Sequence, residues 1–256
     1  MRKTTFVGLA IVIASCTSIE KTSEKPDVTT VPISTLHDNP VRIEALHDVL
    51  REHGLVQSPL QQVKISLISD RIIDVSVPDA PKYLAALVED RQAEGTIIAM
   101  FDPTKNMALV AYTLQEFPDV ISYVDELGYE RMSGQGPELT AHALRLADTG
   151  DVVAITAKSE KQYVQGTEDN EDVWLFALWK NEVVMLMGYP RNFTHLISNN
   201  NGYARTRRLD SEFIVTDNKT RGLYDVVLRT VSVAGDDPGE TSEVAHIFNG
   251  VEYIKK

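Results

Sequence analysis

Val173-Trp174-Leu175-Phe176-Ala177-Leu178-Trp179 is the stretch on which the fold turns. Along a strand, Val173, Leu175, Ala177 and Trp179 fall on one face and Trp174, Phe176 and Leu178 on the other, so neither face is polar. Such a strand is expected in the interior of a sheet. Trp179-Lys180-Asn181-Glu182 then reads as a tight hairpin turn into a second strand at 182–187, and Tyr189 adds a further aromatic. This hairpin is the expected core of the C-terminal half.

Beyond it in both directions the C-terminal pattern stays β: strands are expected at 152–157, 213–216, 224–233, 244–248 and 251–254. Phe248-Asn249-Gly250-Val251 is expected as another tight turn. Toward the N-terminus the pattern is mixed. Asn39-Pro40 starts a helix carrying Ile43, Leu46, Val49 and Leu50, stopped at Gly54. Alternation at Val63, Ile65, Leu67 and again at Ile73, Val75, Val77 predicts a hairpin about Ser69-Asp70-Arg71. Tyr83, Leu84, Leu87 and Val88 share one face of a second helix starting near Asp79, and segments 96–101 and 107–113 flank the turn residues Asp102 to Asn106. Helix, hairpin, helix, hairpin suggests a duplicated α+β unit. Further helices are expected from Pro118 and over 137–147.

The expected class is therefore α+β, a mixed helix/hairpin N-terminal half (39–150) followed by a mostly antiparallel β C-terminal half (151–256). The boundary near Gly150 divides either two domains or two layers of one.

The chain has 256 residues, 43% of them hydrophobic, which is ordinary for a globular protein. Its 37 acidic and 25 basic residues give a net charge of −12, which opposes binding to nucleic acid. A single cysteine, Cys16, excludes an intramolecular disulfide.

Cys16 closes a short leader. Arg2 and Lys3 precede an apolar run from Phe6 to Ala14, and Ile13-Ala14-Ser15-Cys16 ends it with small residues and a thiol. The run falls short of the roughly 20 apolar residues that a membrane span needs. The segment resembles the signal peptide and lipobox of a bacterial lipoprotein. The resemblance implies removal of 1–15, acylation of Cys16 and attachment to a membrane through that lipid. Thr17, rather than an aspartate, follows the cysteine, so the implied address is the outer membrane, facing the periplasm. Residues 17–38 are polar and broken by Pro26 and Pro32. With Cys16 they form a flexible tether (16–38) whose reach is roughly 25 Å.

Candidate chemistry is sparse. Asp217, Gly222 and Asp225, ahead of Val226-Val227-Leu228, are spaced as in a calcium loop and resemble those of FG-GAP-like repeat proteins. Lys219 and Arg221 occupy alternate positions where oxygen ligands are needed, so no metal is expected. Arg191, Arg205, Arg207 and Arg208, in a long polar loop with Asn199-Asn200-Asn201-Gly202, form a candidate anion site. Glu168, Asp169, Glu171 and Asp172 form an acidic run suited to a basic protein partner. Of the six histidines, His47 and His53 share a helix but lie six residues apart, about 240° around its axis, and make no chelating pair. Ser133 beside Gly134 lacks the frame of a nucleophile elbow. No catalytic set and no cofactor are expected. The function expected is a lipid-anchored, non-enzymatic protein-binding module, such as an inhibitor or immunity protein for a hydrolase entering the envelope. The alternatives are a periplasmic hydrolase, a carrier of a small anionic ligand on the arginines, and a component of an envelope assembly.

Overall fold

In chain order the elements are α1 (Pro40–Glu52), β1 (Val63–Ile72), β2 (Tyr83–Asp90), β3 (Thr96–Asp102), β4 (Ala108–Gln115), β5 (Glu138–Arg145) and β6 (Asp151–Tyr163). There follow β7 (Gly166–Trp179), β8 (Glu182–Ser198), β9 (Ala204–Thr220), β10 (Leu223–Ala234), β11 (Glu240–Phe248) and β12 (Tyr253–Lys255). The computed structural model describes residues 40–77, 82–92, 95–117, 137–163, 166–198, 204–235 and 239–256. The leader, Cys16 and its tether, the expected helix at Pro118 and the Ser133-Gly134 turn lie outside the described residues.

All the described strands belong to one mixed 12-stranded sheet, ordered β12-β11-β10-β9-β8-β7-β6-β1-β2-β3-β4, with β5 also on β6. It is two antiparallel meanders, β1 to β4 and β5 to β12, joined by parallel pairings of Ile72 with Asp151 and of Asp74 with Leu178. At the join the segment after β1 inserts where β6 and β7 part. Ile73 N donates to Asp151 O (3.2 Å), and Val75 N donates to Leu178 O (2.8 Å). Asp151, 2% exposed, anchors the seam by accepting from Ser69 Oγ (3.0 Å) and Arg145 Nε (2.6 Å).

β7 is the shared wall of two cores. Its Phe176 and Leu178 pack with Ile68, Leu87, Ile98 and Met100, because β1 to β4 fold over that face and bring β3 and β4 against β8. On the opposite face Val173, Leu175 and Ala177 pack with Leu223, Val226, Phe248 and Tyr253, because the C-terminal strands curl the other way. Tyr224 N donates to Leu146 O (2.9 Å) and holds that second curl. The apolar reading of both faces of 173–179 is thus realised. The expected turn at Lys180-Asn181 is also present, both residues having positive φ (51° and 64°), as the primed hairpin turns require. Burial of side chains such as Phe176 is worth roughly 1.5–3 kcal/mol each.

α1 covers the remaining face of β1 to β3 through Leu46 and Leu50, both fully buried. It ends as expected at Gly54 (φ 70°), with Leu55 N on Leu50 O and Gly54 N on Arg51 O, both 2.9 Å. Asp90 pins the following loop by accepting from Ser58 Oγ (2.5 Å), Ser58 N and Gln57 N.

The α+β expectation is overturned: the described chain is mostly β, and α1 is its one α-helix. The segment assigned to a second helix is β2. Leu84, Ala86 and Val88 meet α1 while Ala85 and Leu87 meet the other core. A strand buried on both faces leaves an unbroken apolar run, in which helical spacing appears by coincidence. Residues expected as a helix over 137–147 form β5 instead, paired from Glu138 opposite Lys158 to Arg145 opposite Asp151. Their helix-favouring composition yields to the ladder with β6. The hairpin expected within 63–77 is one strand, β1, with a tail reaching β7, and the duplicated unit dissolves with it. The β3–β4 hairpin stands as expected. The last turn is longer than expected, with β12 starting only at Tyr253 and Asn249 N donating to Glu252 O (3.0 Å).

Candidate functional site

On the Val173/Leu175 side of β7 the curl of β5 to β9 leaves a cleft of about 330 Å³. Its apolar lining is Leu144, Ala154, Val173, Leu175, Phe213 and Val215, and its polar lining is His142, Tyr189, Arg191, Ser211 and Glu212. Register explains the convergence. His142 lies opposite Ala154, Ala154 opposite Leu175, and Val173 opposite Tyr189. Asn192 lies opposite Asp210, and continuing that register brings Tyr189 beside Phe213. Their rings stack with centroids 5.4 Å apart and planes 14° from parallel.

Arg191 reaches the cleft from an irregularity. Asp172 is opposite Pro190 and Glu171 opposite Asn192, so Arg191 is the extra residue of a β-bulge, a device that re-aims side chains. Arg191 Nη1 donates to Glu171 Oε1 (3.0 Å), and Lys158 Nζ is 3.9 Å from the same carboxylate. Glu212 is taken by Arg229 (3.0 Å), and Ser211 Oγ lies 3.1 Å from Thr230 Oγ1. Burial, reinforced by the Arg191 charge, holds His142 below the usual imidazole range. Burial pushes the Tyr189 phenol up to about 12, with Glu171 adding to it and Arg191 opposing it. The cleft therefore sets an imidazole, a phenol, a guanidinium and, from Glu212, a carboxylate beside the two stacked rings.

The sequence candidates fall differently from their expected setting. The four arginines are on strands, not in a loop: Arg191 on β8, and Arg205, Arg207 and Arg208 on β9. They do not act as one group. Arg191 lines the cleft, Arg208 pairs with Asp210 (2.6 Å), Arg207 is exposed opposite His195, and Arg205 is placed opposite Ile197. Glu168, Asp169, Glu171 and Asp172 lie along β7. Asp169 is exposed, and Glu168 accepts from Asn170 Nδ2 (2.9 Å). Asp217 is exposed near the end of β9 and Gly222 forms the tight turn with Arg221 (φ 91° and 53°). Asp225 sits at a register shift on β10. In place of a calcium loop stands a hairpin, with Lys219 paired to Asp148, which also accepts from Tyr224 Oη (2.8 Å). Among the described residues, no group of three or more His, Cys, Asp and Glu is arranged for a metal ion. Nor is any described helix long and apolar enough to cross a membrane.

His142, Ser211 and Phe213 escape sequence reasoning because three strands of the sheet separate β5 from β9 along the cleft. No local spacing carries that signal. No family model, curated protein or solved structure matches the chain.

Proposed function

We propose that the chain is a lipid-anchored envelope protein, held at Cys16, that binds a small amphipathic anion in the β5–β9 cleft. The observation that carries this is the cleft itself. It is concave, its volume falls at the low end of small-molecule sites, and apolar side chains line it together with five polar ones, Arg191 being its cation. Binding rather than turnover is favoured because Ser211 and Glu212 are already engaged by Thr230 and Arg229. The lipobox of the leader supports the address.

The test is calorimetric titration of anilinonaphthalene sulfonate into the full chain carrying Cys16→Ser, alone and with Ser211→Trp, which fills the cleft. One-to-one binding that disappears in the filled variant, with the melting temperature kept, supports the reading. Binding that survives the filling refutes it. A basic protein partner is the second reading, favoured by the net charge of −12 and the exposed Asp169. Its test is salt-sensitive binding abolished by charge reversal over 168–172.

A further inference from the structure

We infer that the cleft selects a compact aromatic carboxylate, its ring continuing the Tyr189–Phe213 stack and its carboxylate on Arg191. This rests on the binding reading above and narrows it to a ligand class.

Shape comes first. Two nearly parallel rings, their centroids 5.4 Å apart, line the cleft as a stacked pair from adjacent strands, both half-buried. A third ring extends such a stack in the offset geometry that aromatic quadrupoles favour. At about 330 Å³ the space sits at the low end of ligand pockets, suited to a short and compact body rather than a long acyl chain.

Charge comes next. Of the acids beside the cleft, Glu171 is held by Arg191 and Lys158, and Glu212 shares Arg229 with Glu243. A guanidinium carries five N–H donors, more than one oxygen of Glu171 uses, and its planar fork matches a second carboxylate. Its side chain is 55% exposed, so an incoming anion meets it without unfolding anything. His142, on the opposite strand of the cleft, adds a hydrogen-bond partner without adding negative charge.

The experiment uses the full chain with Cys16→Ser and three probes measured by calorimetry: naphthoate, decanoate and naphthylmethanol. Naphthoate is expected to bind one-to-one, and tighter than the other two. Arg191→Gln should weaken naphthoate by about twofold to fivefold and leave naphthylmethanol unchanged, since only the former pairs with the half-exposed guanidinium. Phe213→Leu keeps apolar bulk and removes the stack, and should weaken both aromatic probes while sparing decanoate. Decanoate binding as tightly as naphthoate, or Arg191→Gln without effect, overturns the ligand class and leaves cleft binding standing. Failure of all three probes overturns cleft binding as well.

Discussion

Replacing Arg145 with methionine isolates the seam where the two meanders meet. The Asp151 side chain is 3% exposed and bonded to Arg145 Nε at 2.6 Å, while the Arg145 side chain is 31% exposed. Without the guanidinium the buried carboxylate keeps Ser69 Oγ at 3.0 Å as its side-chain partner. Stranding one member of a fully buried pair costs about 3–5 kcal/mol, and water reaching through the exposed third of Arg145 reduces this to about 2–3 kcal/mol. For a domain of this size that is a fall in Tm of about 5–10 °C. Urea unfolding followed by the fluorescence of Trp174 and Trp179, both on β7, measures it directly. The double variant with Asp151→Asn should recover about 1–2 kcal/mol as coupling, because the stranded charge is gone. A loss below about 1 kcal/mol for Arg145→Met, or no coupling in the cycle, would refute the claim that this pair holds the seam.

Gly150→Ala should cost about 1–3 kcal/mol in the same assay, because its Cβ would lie 1.9 Å from Cγ2 of the fully buried Ile73. Wild-type stability would contradict that close approach. His142 has a folded-state pKa below the 6.5 of the unfolded chain, so the unfolded state binds the extra proton and stability falls as pH drops through that value. His142→Gln should therefore flatten the fall of the melting temperature as pH drops below about 6.5, and an unchanged slope would show that another group sets it. Labelled palmitate should enter the wild-type chain and not Cys16→Ser; equal labelling would move the lipid elsewhere.

The candidate site was legible only in fragments. Arg191 stands out as a cation in an acidic chain, and Tyr189 as part of an aromatic hairpin. Nothing local links them to His142 or Phe213, and the bulge that turns Arg191 into the cleft arises from how Glu171 and Asp172 count against Pro190 and Asn192. The acidic run likewise reads as a face for a basic partner, and only the β6–β7 ladder shows Lys158 opposite Glu171.

By itself the sequence determined the features that depend on neighbouring residues. These are α1 with its glycine stop, the β3–β4 hairpin, the Lys180-Asn181 turn and the two apolar faces of 173–179, because caps, turns and strand alternation act within a few residues. Tertiary structure alone decided that 83–90 and 138–145 are strands and that the sheet curls in opposite senses about β7. Helical and strand spacing coincide in a short apolar run: 83–90 becomes a strand because that form buries both of its faces, and 138–145, none of it fully buried, because it completes its hydrogen bonds with the distant β6.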